Sequence, residues 1–254
     1  VMKAAIATVA VGASYRRHYE QIFRPSVQRY AERYGYDLLL FDDYLCVPEL
    51  RHSSTVSFTK LLIPFQPVVQ AYERLMVLDA DILVHRDTLP FAELELDTGI
   101  GVVDEFSQPT PTERIAYQEA LGRETTPRDY YALAGLPIET DVVLNSGMFI
   151  CSPPRHTHFF EDLVRRRVAA QLHHLRGFHY EQSVLGYELQ QAGLVRLLPA
   201  AWNRIWSVHR PRKTAAADDR LGAFRRFVAL YGESFLLHLT GGQDHDFAYL
   251  VRQR

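Results

Sequence analysis

Two aspartates one residue apart close an apolar run in Arg74-Leu-Met-Val-Leu-Asp79-Ala80-Asp81-Ile-Leu-Val-His85. Leu75 to Leu78 form a short continuous hydrophobic stretch of the kind that suits a strand buried on both faces. Ionised carboxylates are not left bare in such a core, because desolvation without a partner costs too much. The pair therefore belongs at the strand's C-terminal end, where open α/β sheets hold their ligands. Residues two apart on an extended chain face the same side. Two hard oxygen ligands there can share a divalent cation, and the cation can grip phosphate oxygens. The same two residues can also close a strand-end turn, with their carboxylates accepting from backbone N–H groups. The local pattern leaves both readings open.

Other polar residues sit at the ends of apolar runs. Thr8 is the one side-chain hydroxyl in a first strand, and Ser14 and Tyr15 follow the turn at Gly12. Such a first turn often receives a nucleotide, although threonine is also an ordinary strand residue. Lys60 falls at the start of a helix, the wrong end of the dipole for a cation. It is either solvated, as the local pattern favours, or turned to an anion. Asp104-Glu105 ends another strand, and Asn145-Ser146-Gly147 interrupts a later one, as glycine does where a ligand or backbone approaches closely. Glu181-Gln182 opens a helix. His238 followed by Gly241 and Gly242 suits either a metal ligand at a loop beside phosphate or a buried turn histidine. The adjacent Asp42 and Asp43 point opposite ways and read as a solvated turn. The pairs His156/His158 and His173/His174 lack a carboxylate or cysteine context for a metal.

The elements that must position these residues alternate strand and helix. Strands are expected over 3–11, 36–41, 75–84, 99–103, 142–151, 195–198 and 235–239. Helices are expected over 18–34, ended by Gly35, over 59–72 with Pro64 and Pro67 interrupting, over 159–175, and over 181–192. Residues 106–140 differ in character, with Pro109, Pro111, Pro127 and Pro137 and two short helical patterns around Ile115 and Tyr131. That stretch is expected as an insertion over the ligand end of the sheet, a lid on the acceptor side. Residues 213–219 look like a polar excursion.

With 254 residues, the chain can bury a large α/β core. A formal charge of −2 gives no footprint for nucleic acid. Cys46 and Cys151 have no metal-type spacing and read as packing thiols. No apolar run is long enough to cross a bilayer, and the start lacks the three regions of a signal peptide, so a cytoplasmic protein is expected.

In order along the chain, Ala7-Thr8 through Tyr15, Thr59-Lys60-Leu61, Leu78-Asp79-Ala80-Asp81, Leu144-Asn145-Ser146-Gly147-Met148-Phe149, Glu181-Gln182, Asn203 and His238-Leu-Thr-Gly241 resemble the retaining, metal-dependent nucleotide-sugar glycosyltransferases of the glycogenin and lipopolysaccharide galactosyltransferase type. The stretch Tyr30-Ala-Glu-Arg-Tyr-Gly-Tyr36-Asp is similar to the galactosyl- and xylosyltransferase branch of that superfamily. The resemblance covers most of the chain outside residues 106–140 and 207–225. It implies the GT-A fold, a Rossmann-like, mostly parallel α/β sheet with flanking helices, in one domain over 1–254. It also implies Mn²⁺ or Mg²⁺ on Asp79, Asp81 and His238, bridging the diphosphate of a donor, most simply a UDP-hexose such as UDP-glucose or UDP-galactose. Thr8 and Tyr15 would hold the uracil, and Lys60 a donor phosphate or sugar hydroxyl. Asp104 and Asn145 would touch the sugar beside Ala80 and Ser146, and Gly147 would leave it room. Gln182, next to Glu181, would face the β side of the anomeric carbon. A glycan, a lipid-linked sugar or a protein hydroxyl would be the acceptor.

Two positions depart from the family. Its closing motif runs H-x-x-G-x-x-K, and the lysine position is Asp244, with Arg210, Arg212 and Lys213 as candidate replacements. The usual Asp before Gln182 is Glu181. Two rivals share features of the pattern. A phosphohydrolase of the haloacid dehalogenase type also places D-x-D after an apolar strand, but normally at the start of the chain. A non-catalytic sugar-nucleotide-binding relative would be consistent with a carboxylate at 244.

Overall fold

A computed structural model describes residues 2–45, 53–168, 180–210, 220–240 and 244–251. Its central sheet has six strands: β1 Ala4–Val9, β2 Asp37–Phe41, β3 Arg74–Leu78, β5 Ile100–Asp104, β6 Leu144–Cys151 and β7 Val195–Leu197, in the order β2-β1-β3-β6-β5-β7. β1, β2 and β3 are parallel, as are β5 and β7, while β6 runs antiparallel to both of its neighbours.

The period of two along each strand divides the core. Ala5, Ala7, Leu75, Val77, Phe149 and Cys151 pack on one face, and Ala4, Ile6, Met76, Leu78, Met148 and Ile150 on the other. Burial on both faces is what the unbroken apolar runs require. The Cys151 thiol is buried and free, as a packing residue should be; Cys46 lies outside the described residues.

Just beyond β3 the chain leaves this sheet. The Asp79 amide donates to the Gly147 carbonyl at 2.8 Å, the chain turns, and β4 Ile82–Val84 joins a second sheet with β8 Arg204–Ile205 and β9 Leu236–His238, in the order β4-β9-β8. Ile82 pairs directly with His238, and Leu239 donates its amide to the Asp81 carbonyl at 2.9 Å. The aspartates thus occupy the crossover between two sheets. A third apolar cluster, including Leu83, Leu237, Trp206, Phe227 and Phe247, packs the second sheet against the chain's first helical segment and its last helices.

Several expected elements change shape. The helix expected over 59–72 is only Thr59–Leu62, followed by 3-10 turns at Ile63–Phe65 and Pro67–Val69, since Pro64 and Pro67 lack the N–H groups a helix needs. The strand expected to break at Asn145 is continuous, yet its pairing is irregular there: the two steps from Gly101 to Val103 of β5 face the stretch from Ile150 back to Asn145 of β6. The helix expected over 159–175 begins earlier, as Pro153–Leu163 with proline in its first turn, and passes into a π-helical turn Val164–Val168. The stretch 169–179, with His173 and His174, lies outside the described residues. Helices Arg220–Gly232 and His245–Val251 were not expected. The insertion does contain two helices, Pro111–Ala120 and Pro127–Leu133, each capped by a threonine (Thr110 and Thr126) that accepts from the third amide. Among the described residues, no helix is long and apolar enough to cross a membrane.

Candidate active site

Strand register places His238 beside the crossover. Its Nε2 lies 3.2 Å from Asp81 Oδ1 and 3.7 Å from Asp79 Oδ2. One ligand atom from each of the three residues lies within 4.8 Å of the others. Gly147 lets the ring in: a Cβ there would overlap His238 Cε1 and Nδ1 and come within 2.9 Å of Asn145 Oδ1. The space that a Cβ would take at Gly147 is filled by the imidazole. Burial works against charge on all three groups. Asp79 is raised by it, against Lys60 and His238, whereas for Asp81 the adjacent His238 overcomes burial and holds the carboxyl low. His238 is raised because Asp81 and Asp79 outweigh its own burial. A donor set of two hard oxygens and one imidazole nitrogen, converging through the Nε2 face, fits a divalent cation such as Mn²⁺ or Mg²⁺.

Lys60 lies behind this cluster. It is 6% exposed, so the solvated reading is overturned. Its ammonium pairs with Asp79 Oδ1, reaches Glu181 Oε1 at 3.0 Å and donates to the Ser146 carbonyl at 3.3 Å. Burial would lower its pKa, but Asp79 and Glu181 together raise it. Glu181 is equally buried. Desolvation would raise its carboxyl, but Lys60 and the Ser146 hydroxyl, which donates to it at 2.8 Å, hold it low. A longer acid at the family's Asp position is therefore matched to a buried lysine.

Beside Glu181, Gln182 is bonded at both ends. Its Oε1 accepts from Asn145 Nδ2 at 3.0 Å and from the Ser146 amide at 3.3 Å, and its Nε2 donates to Glu105 Oε2 at 3.0 Å and to the Tyr130 hydroxyl at 2.9 Å. Asn145 Nδ2 also donates to Glu105 Oε2 at 2.8 Å, and Asn203 Nδ2 to Asn145 Oδ1 at 2.7 Å. The other oxygen of Glu105 pairs with Arg114. Glu105 was not a candidate in the sequence; the structure puts it where Asp104 was expected. Asp104 Oδ1 instead accepts from the backbone amides of Phe106 at 2.9 Å and Val143 at 3.1 Å, and Glu105, not Asp104, lines the cavity.

That cavity has a volume of about 640 Å³, within the range of small-molecule sites, and joins the aspartate cluster to the Gln182 network. Ala80, Asn145, Ser146 and Gly147 line it, and so does Tyr15, which is 49% exposed. The Tyr15 hydroxyl is pushed up by desolvation and by Asp81 and Asp79. Thr8 is not brought there. It is 2% exposed with its hydroxyl against Tyr19, while Val9 and Val11 line the wall. Gly241, like Arg212 and Lys213, lies outside the described residues. Asp244 takes a left-handed backbone, φ 58°, and its carboxylate accepts from Arg210 Nε at 2.6 Å and Trp206 Nε1 at 3.0 Å. It is neutralised away from the cluster, and Arg210 is engaged there. Asp42, exposed, pairs with Arg16. His156 is bonded at both nitrogens, to the Ser152 amide and the Thr98 carbonyl, and is structural.

No protein-family model and no curated protein matches the chain. Solved structures do. The apo form of the bifunctional glycosyltransferase WbbM superposes with a TM-score of 0.65 at 14% identity, over 97% of this chain and 49% of that one, so this chain spans about half its length. A glycosyltransferase involved in glycosylation of the major capsid of PBCV-1 gives 0.58 at 11% identity over 98% of both chains. The galactosyltransferase LgtC in complex with donor and acceptor sugar analogues gives 0.59 at 11% identity over 98% of this chain and 95% of that one. The mixed sheet, its crossover and its flanking helices are the GT-A glycosyltransferase fold.

Proposed function

We propose that the chain is a metal-dependent glycosyltransferase that moves a hexose from UDP-glucose or UDP-galactose to an acceptor hydroxyl with retention of configuration. One observation carries the reading: in a GT-A fold, the Asp79–Asp81–His238 cluster and the Lys60–Glu181–Gln182–Asn145 network open into a single cavity at the end of β3. In the reaction, the bond between the anomeric carbon and the diphosphate oxygen breaks, and its electron pair leaves with the diphosphate. A bond forms between that carbon and the acceptor oxygen, whose proton passes to the leaving phosphate. A divalent cation bound by Asp79, Asp81 and His238 supplies neutralisation of the charge that develops on the diphosphate.

The protein's own residues hold and orient. Tyr15, half-exposed on the cavity wall, offers a ring for the uracil to stack on. Lys60 holds Asp79 and Glu181 in place and favours their charged forms against burial. Asn145 and Ser146 border the sugar. Gln182 faces the anomeric carbon with an amide, too weak a nucleophile to hold a covalent intermediate, which suits a front-face path through an oxocarbenium-like ion pair. The acceptor is a hydroxyl on a glycan, a lipid-linked sugar or a protein.

A thermal-shift series with UDP-glucose and UDP-galactose, with and without Mn²⁺, coupled to an assay of UDP release, tests the reading. The expected result is stabilisation that needs Mn²⁺, amounting to about 2.7 kcal/mol at a hundredfold excess over Kd, with turnover, both lost in Asp81→Asn. Stabilisation only by a phosphate mimic with Mg²⁺ would favour the phosphohydrolase. Binding without UDP release would favour the non-catalytic relative, whose support weakens now that Arg210 and Trp206 neutralise Asp244.

A further inference from the structure

The insertion over 106–140 contributes to the wall of the cavity that holds Gln182. Arg114 and Tyr130 both come from it, and Glu105 immediately precedes it. A carboxamide has two ends of nearly equal shape, so its orientation is set by what each end meets. Gln182 Oε1 meets two donors, Asn145 Nδ2 and the Ser146 amide, while Nε2 meets two acceptors, Glu105 Oε2 and the Tyr130 hydroxyl. A flip would set carbonyl against carboxylate and amide against amide. The lock needs an ionised Glu105. Its side chain is 13% exposed, and Arg114, itself buried, occupies its second oxygen and lies 4.9 Å from the Phe106 ring centroid.

We propose that Glu105, with Arg114 and Tyr130 of the insertion, forms a set of positioning residues that fixes the orientation in which the Gln182 carboxamide faces the anomeric carbon, a role that rests on the glycosyltransferase reading above. In Glu105→Gln one acceptor oxygen becomes an NH₂, which must face either the Arg114 guanidinium or the two amide donors. In Tyr130→Phe a single acceptor is lost while the ring stays packed against Phe106, Tyr131 and Val143.

Hydrolysis of UDP-glucose and UDP-galactose to free sugar and UDP needs no acceptor, so kcat and KM are measured on that reaction, alongside the Mn²⁺/UDP thermal shift. Glu105→Gln is expected to lower kcat roughly 10- to 100-fold, the scale of a small misplacement at the reacting centre. Tyr130→Phe is expected to lower it about 3- to 10-fold by the same reasoning. For both, donor KM and the Mn²⁺/UDP shift stay within about twofold of wild type. If Glu105→Gln does not fold, Tyr130→Phe carries the test alone. Unchanged kcat in a folded variant overturns the proposal, as does a rise in KM with kcat unchanged, which would make Glu105 a donor-binding group. If the wild type shows neither a shift nor hydrolysis, the glycosyltransferase reading falls and this role falls with it.

Discussion

Lys60 stands between two acids, Asp79 and Glu181, and supplies the only full positive charge beside Glu181 among the described residues. Breaking a buried pair by removing one partner costs about 3–5 kcal/mol, because a charge is left behind without its partner. Lys60→Met is therefore expected to lower the free energy of unfolding by about that amount in a denaturant titration, and Lys60→Met/Glu181→Met to recover much of it. A wild-type midpoint for the single variant would mean that water already reaches Glu181. Gly147 offers a second test at this scale. An added methyl must displace the His238 ring, so Gly147→Ala is expected to cost about 1–3 kcal/mol, as overpacking does, and to abolish stabilisation by Mn²⁺. Retained Mn²⁺ binding would show that the histidine can be dispensed with. The same residues show what could be read from sequence. Asp79 and Asp81 were visible because carboxylates at the end of an apolar strand have few other places to go. Glu105 was not, because two adjacent acids at a strand end face opposite sides, and no pattern in the letters tells which of those sides holds the cavity.

At the scale of elements, the short helix Trp206–His209 carries a liability. His209 is 8% exposed, and both ring nitrogens are buried with no hydrogen-bond partner among the described residues. Burial, then Arg204 and Arg226, push its pKa from 6.5 down to about 4. The folded state thus keeps the ring neutral over a window in which the unfolded chain binds a proton. Stability rises with pH wherever the unfolded state holds more protons, so this group's contribution is lost as pH falls from about 6.5 to 4. The loss is at most about 3.4 kcal/mol at about 1.36 kcal/mol per unit. His209→Leu is expected to flatten that part of the stability–pH curve; an unchanged slope would assign it to other groups. Strands were the most legible elements because burial on both faces writes unbroken apolar runs such as Leu75 to Leu78. The helix Arg220–Gly232 was harder to see. Leu221, Phe224, Val228 and Tyr231 recur at helical spacing, but Arg220, Arg225 and Arg226 break up the stretch, and Leu221 is itself exposed. The segment 59–72 was expected as a helix interrupted by Pro64 and Pro67, and the two prolines do break it, leaving one helical turn and two 3-10 turns.

Across the whole molecule, the metal-type cluster spans a structural joint. Asp79 follows β3 of the large sheet, whereas Asp81 and His238 flank and belong to the small one, through β4 and β9. At the joint each sheet is tied to itself, Asp79 to Gly147 in the large one and Leu239 to Asp81 in the small one, and between the sheets Ile82, Val84 and Leu236 share an apolar cluster with Leu78 and Met148. A ligand held by all three side chains adds a polar link between the sheets to this apolar one. It stabilises only conformations in which both sheets are docked, by an amount that grows with ligand concentration over Kd. Hydrogen exchange with and without Mn²⁺ and UDP should therefore show slowed amides over residues 79–84 and 236–240, while β2, at the far edge of the large sheet, changes least. Asp81→Asn should erase the difference. Equal slowing throughout the chain would mean that the sheets open only together, so that the ligand acts on global unfolding alone. No slowing near the crossover, with UDP binding still measurable, would place the nucleotide on the protein without the three-residue cluster and return Asp79 and Asp81 to the turn-capping role that the sequence also allowed.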